Sequence, residues 1–305
     1  MLVIVSDLGA KIFIAVLLAL NIWQFIWDLN AYKNKVALRF FELIMIPYYF
    51  SFGVRKQFLR DERGLPHSFK VLRPPKRSNK KIIFQIHGGG FQHGGLNQFN
   101  HYNEWLKDMG FTVVVLDYPK IPKVNLEDQI AFLRESIDLV LKDLSSEKFE
   151  ELYLSGRSAG AYLALAVANR FEAGKFRKIF CFYPIVDFLM IARESHQGDL
   201  LNWPWRLNAL FSSSPNENLL ASYSVKSFKN LQNSEIVVFH GERDPVVSVE
   251  QSRYLKSLAQ EDNLLVSYHE LAGQSHGFEV NLYSIAGQYC RTKITGLSTL
   301  PRIRQ

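Results

Sequence analysis

Short apolar runs alternate along the chain with longer mixed stretches, and that alternation predicts a fold before composition is considered. Lys81-Ile82-Ile83-Phe84-Gln85-Ile86 reads as a buried strand, and so do Glu151-Leu152-Tyr153-Leu154-Ser155, Glu235-Ile236-Val237-Val238-Phe239-His240 and Leu264-Leu265-Val266-Ser267-Tyr268-His269. Ile179-Phe180-Cys181-Phe182-Tyr183 is a further apolar run of strand length. Between them lie helix-like segments, of which Ala161-Tyr162-Leu163-Ala164-Leu165-Ala166-Val167-Ala168 is the most apolar. Repeated strand-then-helix order predicts an α/β architecture with a mostly parallel sheet covered on both faces.

What stands at the ends of these strands carries the chemistry. Gly156-Arg157-Ser158-Ala159-Gly160 joins a strand directly to a helix, the context a nucleophile elbow requires. A serine at the tip of so tight a turn needs very small neighbours, and its hydroxyl then stands clear of the sheet edge. The strand ending at Ile86 runs into His87-Gly88-Gly89-Gly90-Phe91, a glycine loop whose backbone N–H groups can receive an oxyanion. After the strand ending at His240 comes Gly241-Glu242-Arg243-Asp244-Pro245-Val246-Val247, with Asp244 as the candidate acid and Glu242 near enough to compete. After the last strand comes Gly273-Gln274-Ser275-His276-Gly277-Phe278, with His276 as the candidate base. Ser, Asp and His follow one another in the order in which an α/β-hydrolase sheet presents its triad.

From about residue 68 to about residue 285 the chain resembles the α/β-hydrolase esterases of the hormone-sensitive-lipase-like and bacterial carboxylesterase type. The H-G-G-G loop, Asp117-Tyr118 after a strand, Leu126-Glu127-Asp128 opening a helix, the G-x-S-A-G elbow and the final H-G-F carry the resemblance. Asp244-Pro245-Val246-Val247 with Gln251-Ser252 is closer to the small carboxylesterases and feruloyl-esterase-like members. The chain departs from the lipase-like pattern at Arg157, where that group usually has Asp, and at Pro119-Lys120, where it tends to have Arg-Leu. The resemblance implies the α/β-hydrolase fold and ester hydrolysis; the departures leave the subfamily and substrate open. Arg157 either forms a local salt bridge or favours an anionic acyl or leaving group.

The residue types define an expected mechanism. His276 takes the proton of Ser158 as it attacks, and Asp244 holds the imidazole in the useful tautomer and stabilises its cation. The N–H groups of Gly88, Gly89 and Ala159 form the expected oxyanion hole, each donor contributing about 3 kcal/mol in the transition state. No metal or organic cofactor is required. His87 is expected to order the oxyanion loop through its side chain, while His93, His101, His240 and His269 carry no placement signal and default to structural or surface roles. The expected substrate is a small acyl ester of short to medium chain length. An arylformamidase-type amidase shares this fold, and a non-catalytic hydrolase-like binding protein is the third alternative, disfavoured by a complete triad and oxyanion loop.

Composition sets limits on these readings. With 305 residues, 48% of them hydrophobic, the chain can bury one large core. Two cysteines, Cys181 and Cys290, cannot build a disulfide framework, and Cys181 is expected to be a buried thiol. The formal charge of +7 is concentrated towards the N-terminus, at Lys33, Lys35, Arg39, Arg55, Lys56, Arg60 and the cluster from Arg73 to Lys81. No basic motif interleaved with stacking aromatics points to nucleic acid. The basic residues follow an apolar segment, Ile12 to Trp27, and anionic headgroups attract such residues by roughly 1 kcal/mol each.

That segment is expected to be a membrane-anchoring helix, with a cap helix on the enzyme as the alternative. If it spans, Lys33, Lys35 and Arg39 outweigh Lys11 and place the catalytic domain on the cytoplasmic side. The expected organisation is an anchor or cap helix over 1–30, a connecting and cap segment over 31–67, a catalytic domain over 68–290 and a tail over 291–305. Pro47 breaks a second apolar stretch, Phe40 to Phe50, which reads as a cap or interfacial helix. A lid-like insertion is expected over about 187–232, where Trp203, Trp205, Leu210 and Phe211 either line an acyl pocket or pack as core. No pattern in the chain specifies an oligomeric state.

Overall fold

Strand after strand, the apolar runs assemble into one sheet. A computed structural model describes residues 56–296 except 76–77, 195–200, 262–263 and 283. The strands are β1 (Gln57–Arg60), β2 (Pro66–Leu72), β3 (Lys81–Ile86), β4 (Thr112–Leu116), β5 (Glu151–Arg157), β6 (Lys178–Phe182), β7 (Glu235–Gly241) and β8 (Leu265–Leu271). They lie in the order β1-β2-β4-β3-β5-β6-β7-β8. β2 pairs antiparallel with β1 and β4, and all other pairings are parallel. The helices are α1 (Asn100–Asp108), α2 (Leu126–Asp143), α3 (Ala159–Ala168), α4 (Phe188–Glu194), α5 (Trp203–Phe211), α6 (Glu217–Ser222), α7 (Glu250–Glu261) and α8 (Ile285–Thr295).

The central strands are buried on both faces, so their apolar residues divide by parity between two core layers. Ile82, Phe84 and Ile86 join Val114, Leu116, Ile179, Cys181, Ile236 and Val238 in the layer shared with α2 and α3. Ile83 joins Val113, Val115, Phe180, Phe182, Val237 and Phe239 in the layer shared with α1 and α8. The layers differ in side-chain size: in β6, Phe180 and Phe182 fill one face and Cys181 the other. A slip of one residue would drive phenylalanines into the space that a cysteine fits, which pins the register. Each buried Phe or Ile contributes about 1.5–3 kcal/mol, so the pattern far outweighs any single turn preference.

Two helices show how sequence fixes their placement. α2 begins with a capping box, Asn125 accepting from the Asp128 N–H and the Asp128 side chain accepting from the Asn125 N–H. Its buried residues Leu126, Ile130, Leu133, Ile137 and Val140 recur at helical spacing and form one face. In α3 all ten residues are buried, and its many small side chains let it lie close to the sheet. Cys181 is fully buried and its thiol pKa is pushed up by burial, as expected for a free core cysteine.

The sheet starts earlier and the domain ends later than the expected boundaries. β1 falls inside the segment 31–67, yet it pairs with β2 along its whole length. Its mostly exposed side chains gave no alternating pattern to read. α8 runs across the expected limit at residue 290, because Cys290, Arg291 and Ile294 are all buried. The insertion over 187–232 carries α4, α5 and α6. Within it Leu210 is core, Phe211 packs edge-on against Phe188 and Tyr223, and Trp205 is exposed. The stretches from Ile12 to Trp27 and from Phe40 to Phe50 lie outside the described residues. Among the described residues no helix is long and apolar enough to cross a membrane.

Candidate active site

Ser158 sits at the junction of β5 and α3 with φ +53° and ψ −125°, backbone geometry that a non-glycine residue adopts only under strain. Such strain costs about 1–3 kcal/mol and persists because the surroundings leave no alternative. The Ser158 N–H donates to the Phe182 carbonyl at 2.9 Å, tying the turn to the end of β6. Neither flanking glycine can be replaced. A Cβ on Gly156 would lie 2.1 Å from the Gly160 oxygen, and one on Gly160 would lie 2.3 Å from the His87 oxygen. The small neighbours predicted for this turn are therefore a demand for space and not for unusual dihedral angles, since neither glycine has a positive φ.

The glycine loop after β3 packs directly against this elbow. A Cβ on Gly88 would stand 2.9 Å from the Arg157 oxygen and 3.5 Å from the Ser158 Cβ. Gly89, at φ +111°, carries a tight turn in which its carbonyl accepts from the N–H groups of Gln92 and His93. The N–H groups of Gly88 and Gly89 make no backbone hydrogen bond in the described turns and loops, and Ala159 is the first residue of α3, where N–H groups lack helical partners. Of the three expected donors, Gly88 packs against the Arg157 oxygen and the Ser158 Cβ, and Ala159 follows Ser158 in the chain.

His87 orders this loop, as expected. Its Nδ1 lies 2.7 Å from the Gly88 carbonyl, its ring stacks on Tyr118 at 4.4 Å, and the Tyr118 hydroxyl donates to the His87 carbonyl at 3.1 Å. A carbonyl can only accept, so Nδ1 carries the proton and Nε2 is left to accept from Lys120 Nζ at 3.1 Å. Lys120 also donates to Asp117 at 2.8 Å. Burial, and then the neighbouring Lys120 charge, outweigh Asp117 and lower the His87 pKa, which keeps the imidazole neutral. Burial acts to raise the Asp117 pKa, but the Lys120 ammonium, 2.8 Å away, holds its carboxyl well below the usual range. Lys120 thus stands where the resembled lipases have another residue and serves the loop from behind. On the lid side, Arg206 of α5 donates to the Gly90 carbonyl at 2.6 Å.

The candidate acid and base meet across two loops at the carboxyl ends of β7 and β8. His276 Nδ1 lies 2.6 Å from Asp244 Oδ2, and the Asp244 side chain is wholly buried. The other carboxylate oxygen accepts from the N–H groups of Val246 and Val247 at 2.8 and 3.0 Å. Burial acts to raise the Asp244 pKa, but the neighbouring imidazoles of His276 and His240 outweigh it and hold the carboxyl well below its ordinary range. Glu242, the competitor, is exposed and accepts from the Gly273 N–H at 2.8 Å. The two loops are locked by Arg243 N–H donating to the Gln274 carbonyl at 2.9 Å, and a Cβ on Gly241 would lie 2.4 Å from that same oxygen. His276 faces the elbow through Tyr183, whose ring lies 4.0 Å from the imidazole and which follows the residue that accepts from Ser158. Among the described residues no hydrogen bond joins the Ser158 hydroxyl to His276. In free enzymes such contacts are often long and tighten only with substrate.

Several residues support these loops, and of them His240 had no placement signal in the sequence. His240 is fully buried, bonding Ser252 Oγ through Nδ1 at 2.6 Å and the Val247 carbonyl through Nε2 at 2.9 Å, with Asp244 Oδ2 at 3.5 Å. It braces the acid loop. Gln251 accepts from the N–H groups of Val186 and Asp187, both at 2.8 Å, and so fixes the start of the lid insertion to α7. Arg157 resolves to a local salt bridge: buried, it donates from Nε to Glu279 at 3.0 Å. A cavity of about 310 Å³ is lined by Ile191, Glu194 and Trp203 from the insertion and by Glu242, Asp244 and Val246. It adjoins the acid loop, and neither Ser158 nor His276 is in its wall. Asp61, His67 and Glu135 bring metal-ligand atoms within 4.8 Å of one another, but the Arg63 guanidinium already bridges both carboxylates at 2.8 and 2.7 Å.

A family model described as alpha/beta hydrolase fold matches residues 83–280, the stretch from β3 to the turn after His276. The chain belongs to this family. It is 24% identical over 221 residues to a kynurenine formamidase of Salmo salar, covering 70% of this chain and 71% of that protein. Esterase LipU of Mycobacterium tuberculosis is 32% identical over 135 residues, 41% of each chain, and esterase LipQ of the same organism is 26% identical over 231 residues, 68% of this chain and 52% of that one. The chain therefore spans about half or less of the two mycobacterial esterases. Among solved structures it is similar in fold to esterase B from Lactobacillus rhamnosis, with a TM-score of 0.69 at 17% identity, covering 85% of this chain and 91% of that one. The Pyrobaculum calidifontis esterase gives 0.67 at 21% identity, with 83% and 87% covered.

Proposed function

We propose that this protein hydrolyses carboxylic esters through an acyl-enzyme. The observation that carries the reading is the buried Asp244 carboxylate, 2.6 Å from His276 Nδ1, at the end of the sheet that also bears the strained Ser158 elbow. With Nδ1–H committed to Asp244, the lone pair of His276 is on Nε2, the tautomer a general base needs. Ser158 Oγ attacks the ester carbonyl carbon as His276 takes its proton, and the oxygen that gains charge is received by the N–H groups of Gly88, Gly89 and Ala159. Collapse expels the alcohol, protonated by His276; water, activated by the same imidazole, then releases the acid. Short- to medium-chain acyl esters are the substrate class to test first. The relatives named esterases support an ester substrate.

The match to a kynurenine formamidase, which extends over 70% of this chain, favours a second reading, hydrolysis of an aryl formamide by the same residues. p-Nitrophenyl esters of graded chain length, assayed beside N-formylkynurenine with fluorophosphonate labelling as a readout of the serine, separate the two. A specificity constant on the esters at least about 100-fold above that on the formamide is expected. The reverse ratio replaces the ester reading with the amidase one, and no turnover of either, with no labelling, removes the enzyme reading.

Membrane association through Ile12 to Trp27, with the catalytic domain on the cytoplasmic side, belongs to the same proposal. Deleting residues 1–30 is expected to move the protein from the membrane fraction to the soluble fraction while activity on a soluble ester persists, because Ser158, Asp244, His276 and the oxyanion loop all lie beyond residue 80. Release of the full-length protein by a high-salt wash would point instead to attachment by the basic residues alone.

A further inference from the structure

Glu279 is wholly buried and stands three residues beyond His276, in the turn Phe278–Val280. One of its oxygens, Oε1, accepts two hydrogen bonds: from Arg157 Nε at 3.0 Å and from the Tyr183 hydroxyl at 2.6 Å. Arg157 immediately precedes Ser158. The Tyr183 ring lies against the His276 imidazole, centroid to centroid 4.0 Å. A single carboxylate oxygen therefore ties together the residue before the elbow serine, the ring that supports the imidazole, and the loop from which His276 projects.

Each end of this link is rigid. Arg157 is held by Gln85 at 3.0 Å and lies over the rings of Phe99 and Tyr102 at 4.3 and 4.4 Å, so its guanidinium cannot follow a shift of the loop. Tyr183 has φ +39°, a conformation that a bulky residue keeps only when its surroundings enforce it, and its N–H donates to the Phe239 carbonyl at 2.7 Å. A buried ion pair contributes uncertain stability because desolvation opposes attraction, whereas fixing the geometry of its neighbours is a role that burial and shared hydrogen bonds do support.

We propose that Glu279 is a positioning residue, which through Arg157 and Tyr183 sets where the His276 imidazole stands relative to Ser158. The inference rests on Ser158 and His276 being nucleophile and base. It also gives a use to Arg157, one of the two places at which the chain departs from the resembled lipases: the arginine completes a pair with a glutamate that follows the base.

The decisive variant is Tyr183→Phe, which removes one hydroxyl and keeps the ring. On p-nitrophenyl butyrate its kcat is expected to fall about 10-fold, the scale on which small misplacements of reacting groups act, with KM within about two-fold. Fluorophosphonate labelling should slow by a similar factor yet still reach one label per chain, and the thermal midpoint should hardly move. Glu279→Ala, which removes the acceptor of both links, is expected to lower kcat about 100-fold, and the double variant should be no worse than Glu279→Ala alone. A Tyr183→Phe enzyme whose kcat stays within two-fold of the parent overturns the inference, as does a double variant whose loss equals the product of the single losses. If Glu279→Ala does not fold, the kcat, KM and labelling rate of Tyr183→Phe decide alone. Ser158→Ala separates the two layers of argument: labelling that survives it removes the triad reading, whereas labelling lost there with Tyr183→Phe unaffected removes only the role of Glu279.

Discussion

The two halves of the candidate site are built by different physics. On the elbow side, between β3 and β5, backbone approaches backbone: Gly88, Gly156 and Gly160 each leave a space that the neighbouring carbonyl oxygens occupy. On the acid–base side, at the ends of β7 and β8, side chains do the holding: Asp244 is hydrogen-bonded to His276, and His240, 3.5 Å from Asp244, is fixed by Ser252 and the Val247 carbonyl. Atoms packed at van der Waals contact tolerate almost no added volume, whereas hydrogen-bonded side chains tolerate changes that keep shape and fail when charge or proton placement is altered. The elbow should therefore break by steric insult and the acid–base pair by isosteric changes of charge.

The largest effect is expected from Gly160→Val. It would drive a branched side chain into the His87 and Ile86 oxygens, already 2.3 and 2.4 Å from a first added carbon, and the product should not accumulate as folded protein. A soluble variant with the parent circular dichroism and thermal midpoint would break the steric account of the elbow. Ser158→Ala, in contrast, adds no volume and should fold normally while losing turnover by roughly 10⁶-fold and all fluorophosphonate labelling. Substantial residual turnover would move the nucleophile elsewhere.

Asp244→Asn preserves shape on the other side and should still cost about 10⁴-fold in kcat, since an amide cannot hold the base in the required tautomer. Glu242→Gln should stay within about three-fold, because that carboxylate is exposed and serves the Gly273 N–H. Kinetics of the two purified variants on one p-nitrophenyl ester check the ranking, and equal losses would reject Asp244 as the acid.

The smallest effect concerns pH and stability. The Asp244 carboxyl is depressed in the folded state, so its stabilising contribution is complete above the unfolded carboxylate pKa of about 4 and is lost as pH falls through the lower folded value. Urea midpoints of parent and Asp244→Asn, measured from pH 7 down to pH 3, should therefore converge towards the acid end. A gap that stays constant or widens below pH 4 would contradict the ionised, paired state of the buried carboxylate.

Much of the elbow side was legible in the sequence because its determinants are local. G-x-S-x-G between a strand and an apolar helix forces a tight turn, and three consecutive glycines after a strand announce a backbone-lined loop. The candidate acid and base could be named by their place after the last two strands, but which carboxylate meets His276 could not be derived, since Asp244 and Glu242 are two residues apart and both follow β7. The decision came from a contact between loops, with Arg243 and Gly241 packed on Gln274. β1 was invisible for a different reason. An exposed edge strand buries little on either face, so neither alternation nor an apolar run marks it.

The sequence by itself determined the alternation of strands and helices, the tight turn at Ser158, the glycine loop after β3 and the burial of Cys181, because each follows from short-range periodicity or from small residues that admit close backbone contact. Only the tertiary structure decided that Arg157 turns inward to Glu279, that His240 and Ser252 brace the acid loop, that Lys120 and Asp117 hold a neutral His87 behind the glycines, and that the lid aromatics divide between core and surface. Those outcomes join residues up to 122 positions apart, and no local pattern records which of two distant polar groups will share a buried space. Desolvation makes that choice, because once the sheet closes a buried polar atom must find the partner the fold has brought to it.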